Sequence, residues 1–115
     1  MGIVVSLDGR TFVMESSTAS LVDRDAPTRF VYHEAGGLLW GEYTGDTVTE
    51  GRFVGVREGE RLEVSFVHAL QGDGTLVRGS SASRIEQADE GLLRLVEDFV
   101  VEGRPHVSVC IETRP

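Results

Sequence analysis

The sequence predicts an all-β domain of about eight consecutive antiparallel strands, in an up-and-down meander that closes into a barrel. Three observations carry that expectation. Apolar residues recur at a period close to two along nearly the whole chain. Glycine-containing turn signals interrupt this pattern at short intervals, and no window sustains the i, i+3, i+4, i+7 spacing of a helix.

The strands follow in order. A first one covers Arg10 to Glu15, and the Ser/Thr/Asp/Pro-rich stretch Ser16 to Pro27 after it is the one long loop, the natural place for a lid or closing arm. From Thr28 to Ala35, Phe30 and Tyr32 alternate with Val31 and His33, and Gly36-Gly37 turns the chain into Leu38 to Thr44. Gly45-Asp46 leads into Thr47 to Arg57, Glu58-Gly59 into Arg61 to Leu70, and Gly72-Asp73-Gly74 into Thr75 to Glu86. The turn Asp89-Glu90-Gly91 starts Leu92 to Glu102, and Gly103-Arg104-Pro105 starts His106 to Thr113. Leu92, Leu93, Val96 and Val100 would also share one helical face, but the Val/Phe content and flanking glycines favour a strand.

Closure of the sheet is expected from two features. Stretches such as Arg52-Phe53-Val54-Gly55-Val56 carry apolar residues on both faces, which an open one-sided sheet would leave partly wet. Glycines inside strands, Gly41, Gly51, Gly55 and Gly79, mark places where a strongly coiled sheet bends or backbones approach closely. With eight strands the interior is filled by side chains or holds one small ligand.

At 115 residues the chain is one domain, residues 1–115, with a single core. Its net charge of -8 and pI near 4.8 argue against nucleic acid as a partner, since a phosphate backbone is held by cationic side chains. All eleven basic residues are Arg, so there is no Lys to form a Schiff base or complete a phosphate-binding loop. A lone Cys110 forms no intramolecular disulfide and supplies no metal-ligand pair. No basic leader with a long apolar run opens the sequence, and no stretch approaches the ~20 apolar residues of a membrane helix, so a cytoplasmic protein without a membrane partner is expected. There is no His-x-x-x-His, and the three histidines fall on separate strands, so neither a metal nor another cofactor is expected.

The pattern Phe30-x-Tyr32-His33, Leu39-Trp40-x-Glu42-Tyr43-x-Gly45, Gly51-x-Phe53-x-Gly55, Phe66-x-His68 before Asp73-Gly74, and Leu93-x-Leu95-x-Glu97 resembles a family of short bacterial proteins often labelled N-acetylglutamate-synthase-like. The resemblance runs from about Phe30 to Glu112. It implies a small barrel similar to the lipocalin or calycin group, closing around an organic ligand. The acetyltransferase chemistry in the label would need a strand, a Gly-rich pyrophosphate loop and a helix, and the sequence shows no such combination.

Ionisable residues at alternate positions of apolar strands are the candidates for chemistry, because pointing a charge into a barrel must offset its desolvation. His68 shares parity with Leu62, Val64 and Phe66; Glu97 with Leu93, Leu95 and Phe99; Glu42 with Leu38 and Trp40. If these faces are internal, His68 with Glu97 or Glu42 would form an imidazole–carboxylate pair able to move a proton. Glu112 is a further inward candidate near the end of the chain, whereas His33 and His106 are expected at the surface. Tyr32, Trp40, Phe53, Phe66 and Phe99 would supply flat apolar walls for a ligand. Ser80 and Ser81 are expected to hydrogen-bond within their strand.

Three functions fit this sequence. The first is a chamber that binds a small, largely apolar organic molecule. The second is a cofactor-independent acid/base enzyme, an isomerase, cyclase or dehydratase using His68 with Glu97 or Glu42 on a biosynthetic intermediate. The third is an interaction module, in which an unclosed edge would pair two copies into a homodimer.

Overall fold

Where β-branched and aromatic residues alternate with polar ones, the chain forms strands, because such side chains pack well on a pleated surface. A computed structural model, which describes residues 5–18, 22 and 25–113 of the 115, contains eight of them. They are β1 (Thr11–Ser17), β2 (Arg29–Ala35), β3 (Leu38–Gly45), β4 (Val48–Glu58), β5 (Arg61–Leu70), β6 (Leu76–Gln87), β7 (Leu93–Val101) and β8 (Arg104–Glu112). A short 3-10 turn, Asp89–Gly91, joins β6 to β7. The segment with the helical ambiguity is therefore strand β7. The loop expected to form a lid falls partly outside the described residues, at positions 19–21 and 23–24.

Consecutive strands pair antiparallel, and β1 also pairs with β8, which closes the barrel. The closing ladder runs Phe12↔Glu112, Val13↔Ile111 and Met14↔Cys110, then shifts by a bulge to Ser16↔Val109 and Ser17↔Ser108. A homodimer expected through an unclosed edge therefore has no such edge among the described strands; pairing would have to use a face.

Tight turns match their residues. Gly36 and Gly37 both have positive φ, 57° and 81°, as a two-residue hairpin of the right twist requires. The interior glycines do a different job. A Cβ on Gly41 would lie 2.1 Å from the Val31 carbonyl oxygen and 2.4 Å from the Phe53 ring, so only a residue without a side chain lets β2, β3 and the Phe53 ring approach this closely.

The two ends of the barrel differ. One end, with the turns at Gly36-Gly37 and Gly59-Glu60, is plugged by Leu7, Phe12, Leu39, Leu62, Ile85, Leu93 and Leu95, all buried. Leu7, ahead of β1, is held there by its backbone N–H donating to Glu34 Oε1 at 2.9 Å, and Arg57 Nη1 donates to the same oxygen at 2.8 Å. Glu112 belongs to this end as well. It accepts from Arg10 Nη1 at 2.6 Å and from the Leu93 backbone N–H at 2.9 Å, which ties β8 to β7 and to the segment before β1. Glu112 is thus a structural clamp and not a group of the ligand chamber. At the other end, the described residues leave an opening among the turns at Asp46-Thr47, Gly72–Gly74 and Glu102-Gly103.

Candidate functional site

Behind that opening lies a cavity of about 360 Å³. Its walls follow from strand parity. β2 contributes Phe30 and Tyr32, β3 Tyr43, β4 Val48 and Phe53, β5 Val64, Phe66 and His68. The far wall is Val77 and Ser81 of β6, Glu97, Phe99 and Val101 of β7, and His106 and Ser108 of β8. Val48 and Phe53 both face inward although they lie an odd number of residues apart, because a bulge between Val48 and Glu50 resets the alternation of β4. Volume and composition match the small-molecule sites of proteins, which are mostly apolar with a few fixed polar groups.

The aromatic walls brace each other. Phe30 stacks on Tyr43 with ring centroids 4.9 Å apart, Tyr32 lies 4.7 Å from Phe53, and Phe66 meets Phe99 edge-on at 6.3 Å. Of the five aromatic residues expected to form walls, Tyr32, Phe53, Phe66 and Phe99 do so. Trp40 does not.

In β3 the inward residues are Leu39, Gly41 and Tyr43, so Leu38, Trp40 and Glu42 face out, the opposite of the expected parity. Both faces of β3 are apolar enough to be buried, and the choice is made by Gly41, the only one of these residues that fits under Phe53. Trp40 is 40% exposed and stacks on His33 at 5.6 Å. Glu42 lies beside them with a carboxylate oxygen 3.3 Å from His33 Nε2. Neither Glu42 nor Trp40 belongs to the cavity. Since Trp40 is the only tryptophan, its fluorescence should be readily quenched by acrylamide, and its emission maximum should not move when a ligand fills the interior. A large blue shift on ligand binding would place Trp40 in the wall after all.

His68 lies in the cavity wall, but its partner is Tyr43, whose hydroxyl is 2.8 Å from His68 Nδ1. Burial pulls the imidazole below its ordinary value, and burial, with the nearby Glu97 charge, pushes the Tyr43 phenol up. The Tyr43 phenol thus keeps its proton and the His68 ring is neutral, and one hydrogen bond joins the two. No hydrogen bond joins His68 to Glu97 among the described residues, so the expected imidazole–carboxylate pair is not formed.

Glu97 is the deep polar group, 9% exposed. Ser108 Oγ donates to its Oε1 at 3.3 Å and Cys110 Sγ at 3.5 Å, and Ser83 supplies a further hydrogen bond. Burial raises its pKa despite these donors. The unfolded chain loses this proton near 4.5, the ordinary glutamate value, whereas the folded protein keeps it to higher pH, so stability falls as pH rises between the two and stays lower above them. Glu97→Gln should therefore raise the unfolding midpoint at pH 8 by about 4 °C or more, the effect of roughly 1 kcal/mol in a domain of this size. At pH 4 the gain should vanish; an equal gain at both pH values in thermal melts would contradict a buried ionisable carboxyl.

Some cavity residues were not expected. Ser81 is buried, and its Oγ has no hydrogen-bond partner among the described residues, so it does not bond within its strand. His106, expected at the surface, is half-buried in the wall, stacked on Phe99 at 5.3 Å. At the mouth, Asp46 Oδ2 accepts from the Thr28 backbone N–H at 2.7 Å and from Thr28 Oγ1 at 2.6 Å, which fixes the start of β2 to the β3–β4 turn. A usable signal was present for the serines. Ser81 and Ser83 share parity with buried Ile85, and Ser108 with Cys110, so small polar residues fall on the face that receives Glu97. Among the described residues there is no cluster of three or more His, Cys, Asp or Glu able to hold a metal ion.

Comparison with known proteins adds one relationship. No curated protein matches the chain, and nothing in the comparison supports the N-acetylglutamate-synthase label. The profile of a family described as avidin-like protein matches residues 5–113, nearly the whole barrel including its closing strands. The chain belongs to the avidin-like family.

Proposed function

We propose that the protein binds a small, largely apolar organic molecule inside the barrel. The observation that carries this reading is the aromatic-walled cavity of about 360 Å³, open at one end, with an unpartnered Ser81 hydroxyl in its wall. A packed core would have filled such a space, because protein interiors are as dense as organic crystals. Membership of the avidin-like family agrees with this reading. Catalysis has less support. His68 is held by Tyr43, Glu97 by two serines and a thiol, and no hydrogen bond joins His68 to Glu97 among the described residues.

Native mass spectrometry of protein purified from its natural host tests the proposal. A retained small molecule, released on denaturation and lost from a variant whose cavity is filled, is the expected result. Bare protein that also shows no thermal shift with any of a panel of apolar small molecules would contradict it.

A further inference from the structure

The cavity's charges restrict what it accepts. Among the described residues its wall contains two carboxyl groups, Glu97 at depth and Asp46 at the mouth, two histidines, and no arginine, although the chain has eleven. The described arginines that form ion pairs do so with carboxylates at the closed end or on the outer surface, such as Arg10 with Glu112 and Arg57 with Glu34. Glu97 itself has hydrogen-bond donors around it and no cationic partner. Tyr32 and Tyr43 stand close enough that its charge helps to hold both phenols protonated. Phe53, Phe66 and Phe99 complete the enclosure. A carboxylate at the bottom of a cavity walled by aromatic residues suits an organic ammonium, since ring quadrupoles and the anion attract the same charge.

We propose that the ligand is an amine: an apolar body in the aromatic cavity, with a protonated nitrogen directed at Glu97. This rests on the reading of the interior as a ligand chamber and names the ligand's class. Glu97 supplies the countercharge, Ser83, Ser108 and Cys110 orient its carboxylate, and the Ser81 hydroxyl is available to accept a hydrogen from the ammonium or from a second polar group on the body. Ligands carrying a carboxylate are disfavoured, because no cation in the wall would offset their desolvation.

Three probes of one shape separate the possibilities: 3-phenylpropylamine, 3-phenylpropan-1-ol and 3-phenylpropanoate, titrated calorimetrically at pH 8. The amine should bind at least about tenfold more tightly than the alcohol, the order expected of one desolvated ion pair or cation–π contact, and the carboxylate weakest. In Glu97→Gln the preference for the amine over the alcohol should shrink to about twofold or less. Wild-type protein offers a second readout should that variant fold poorly. Its amine affinity should rise between pH 5 and pH 8 as Glu97 ionises, while alcohol affinity stays level. The groups facing Glu97, namely Cys110, Tyr32 and Tyr43, stay uncharged over that range. His68 and His106 also face the cavity, and the Gln variant isolates their share. Alcohol binding as tight as amine, or a preference that survives Glu97→Gln, would overturn the amine proposal and leave the ligand chamber standing. No binding of any of the three would count against the chamber itself.

Discussion

Replacing Ser81 with phenylalanine should abolish ligand binding without unfolding the protein. Its side chain projects from the middle of β6 into the cavity, and the new ring would occupy space that the wild-type protein leaves open. A ligand displaced from its site should lose roughly a hundredfold or more in affinity, which corresponds to about 2.7 kcal/mol. Stability should move the other way or not at all. The variant removes a buried hydroxyl that lacks a protein partner, a group whose desolvation ordinarily costs about 1–3 kcal/mol, and it adds apolar contacts to the surrounding rings. Thermal melts and calorimetric titration on the same preparation check both halves. A sharp drop in melting temperature would mean that the interior is already packed and that no free cavity exists there.

A large loss of stability is expected from a single methyl group on Gly41. Its Cβ would meet the Val31 carbonyl oxygen at 2.1 Å, and a backbone atom in the adjacent strand does not move without breaking the β2–β3 ladder. Overpacking of this kind costs about 1–3 kcal/mol and occasionally more; here the backbone clash puts Gly41→Ala at about 3 kcal/mol or above, a fall of roughly 12 °C in melting temperature. Gly51 is the internal comparison. The three atoms nearest a Cβ there all belong to the Tyr43 ring, from 2.5 Å, and a ring can swing. Gly51→Ala should therefore cost less stability than Gly41→Ala while disturbing the Tyr43 hydroxyl that holds His68. Equal melting temperatures for the two variants would mean that the glycines are not what sets how closely these strands approach.

The fold was legible because every strand announces itself by alternation and every turn by glycine. Closure was legible as well, from apolar residues on both faces of β4, although the inference was stronger than its premise. Val54 and Val56 do lie on the outer surface and are more than half exposed; the barrel closes while leaving part of that apolar face in water. The site was legible only where one face of a strand is plainly more apolar than the other. In β5, Leu62, Val64 and Phe66 outweigh Glu63 and Ser65, and His68 follows them inward. In β7, Leu93, Leu95 and Phe99 carry Glu97 with them. β3 has Leu and an aromatic residue on each face, so alternation alone leaves its orientation open, and the deciding contact, Gly41 beneath Phe53, lies between residues twelve apart in sequence on neighbouring strands. Partners across the barrel were not legible at all. That His68 meets Tyr43, 25 residues away, and not Glu97 depends on curvature and register, which no local pattern encodes.

Glu97 is costly to the empty protein where it sits. A buried carboxyl with no cation lowers stability at neutral pH, as its raised pKa implies, and a residue that contributes only to folding would be better replaced by an apolar one. A group that destabilises the empty protein and faces a cavity is what a binding site looks like before its ligand arrives.

The most direct test of an internal site is to see which atoms a bound apolar probe touches. With isotope-labelled protein and saturating 3-phenylpropan-1-ol, intermolecular NOEs should run from the probe to the rings of Tyr32, Phe53, Phe66 and Phe99. Cross-peaks confined to Trp40, Val54 and Val56 on the outer surface, with the interior rings silent, would contradict it.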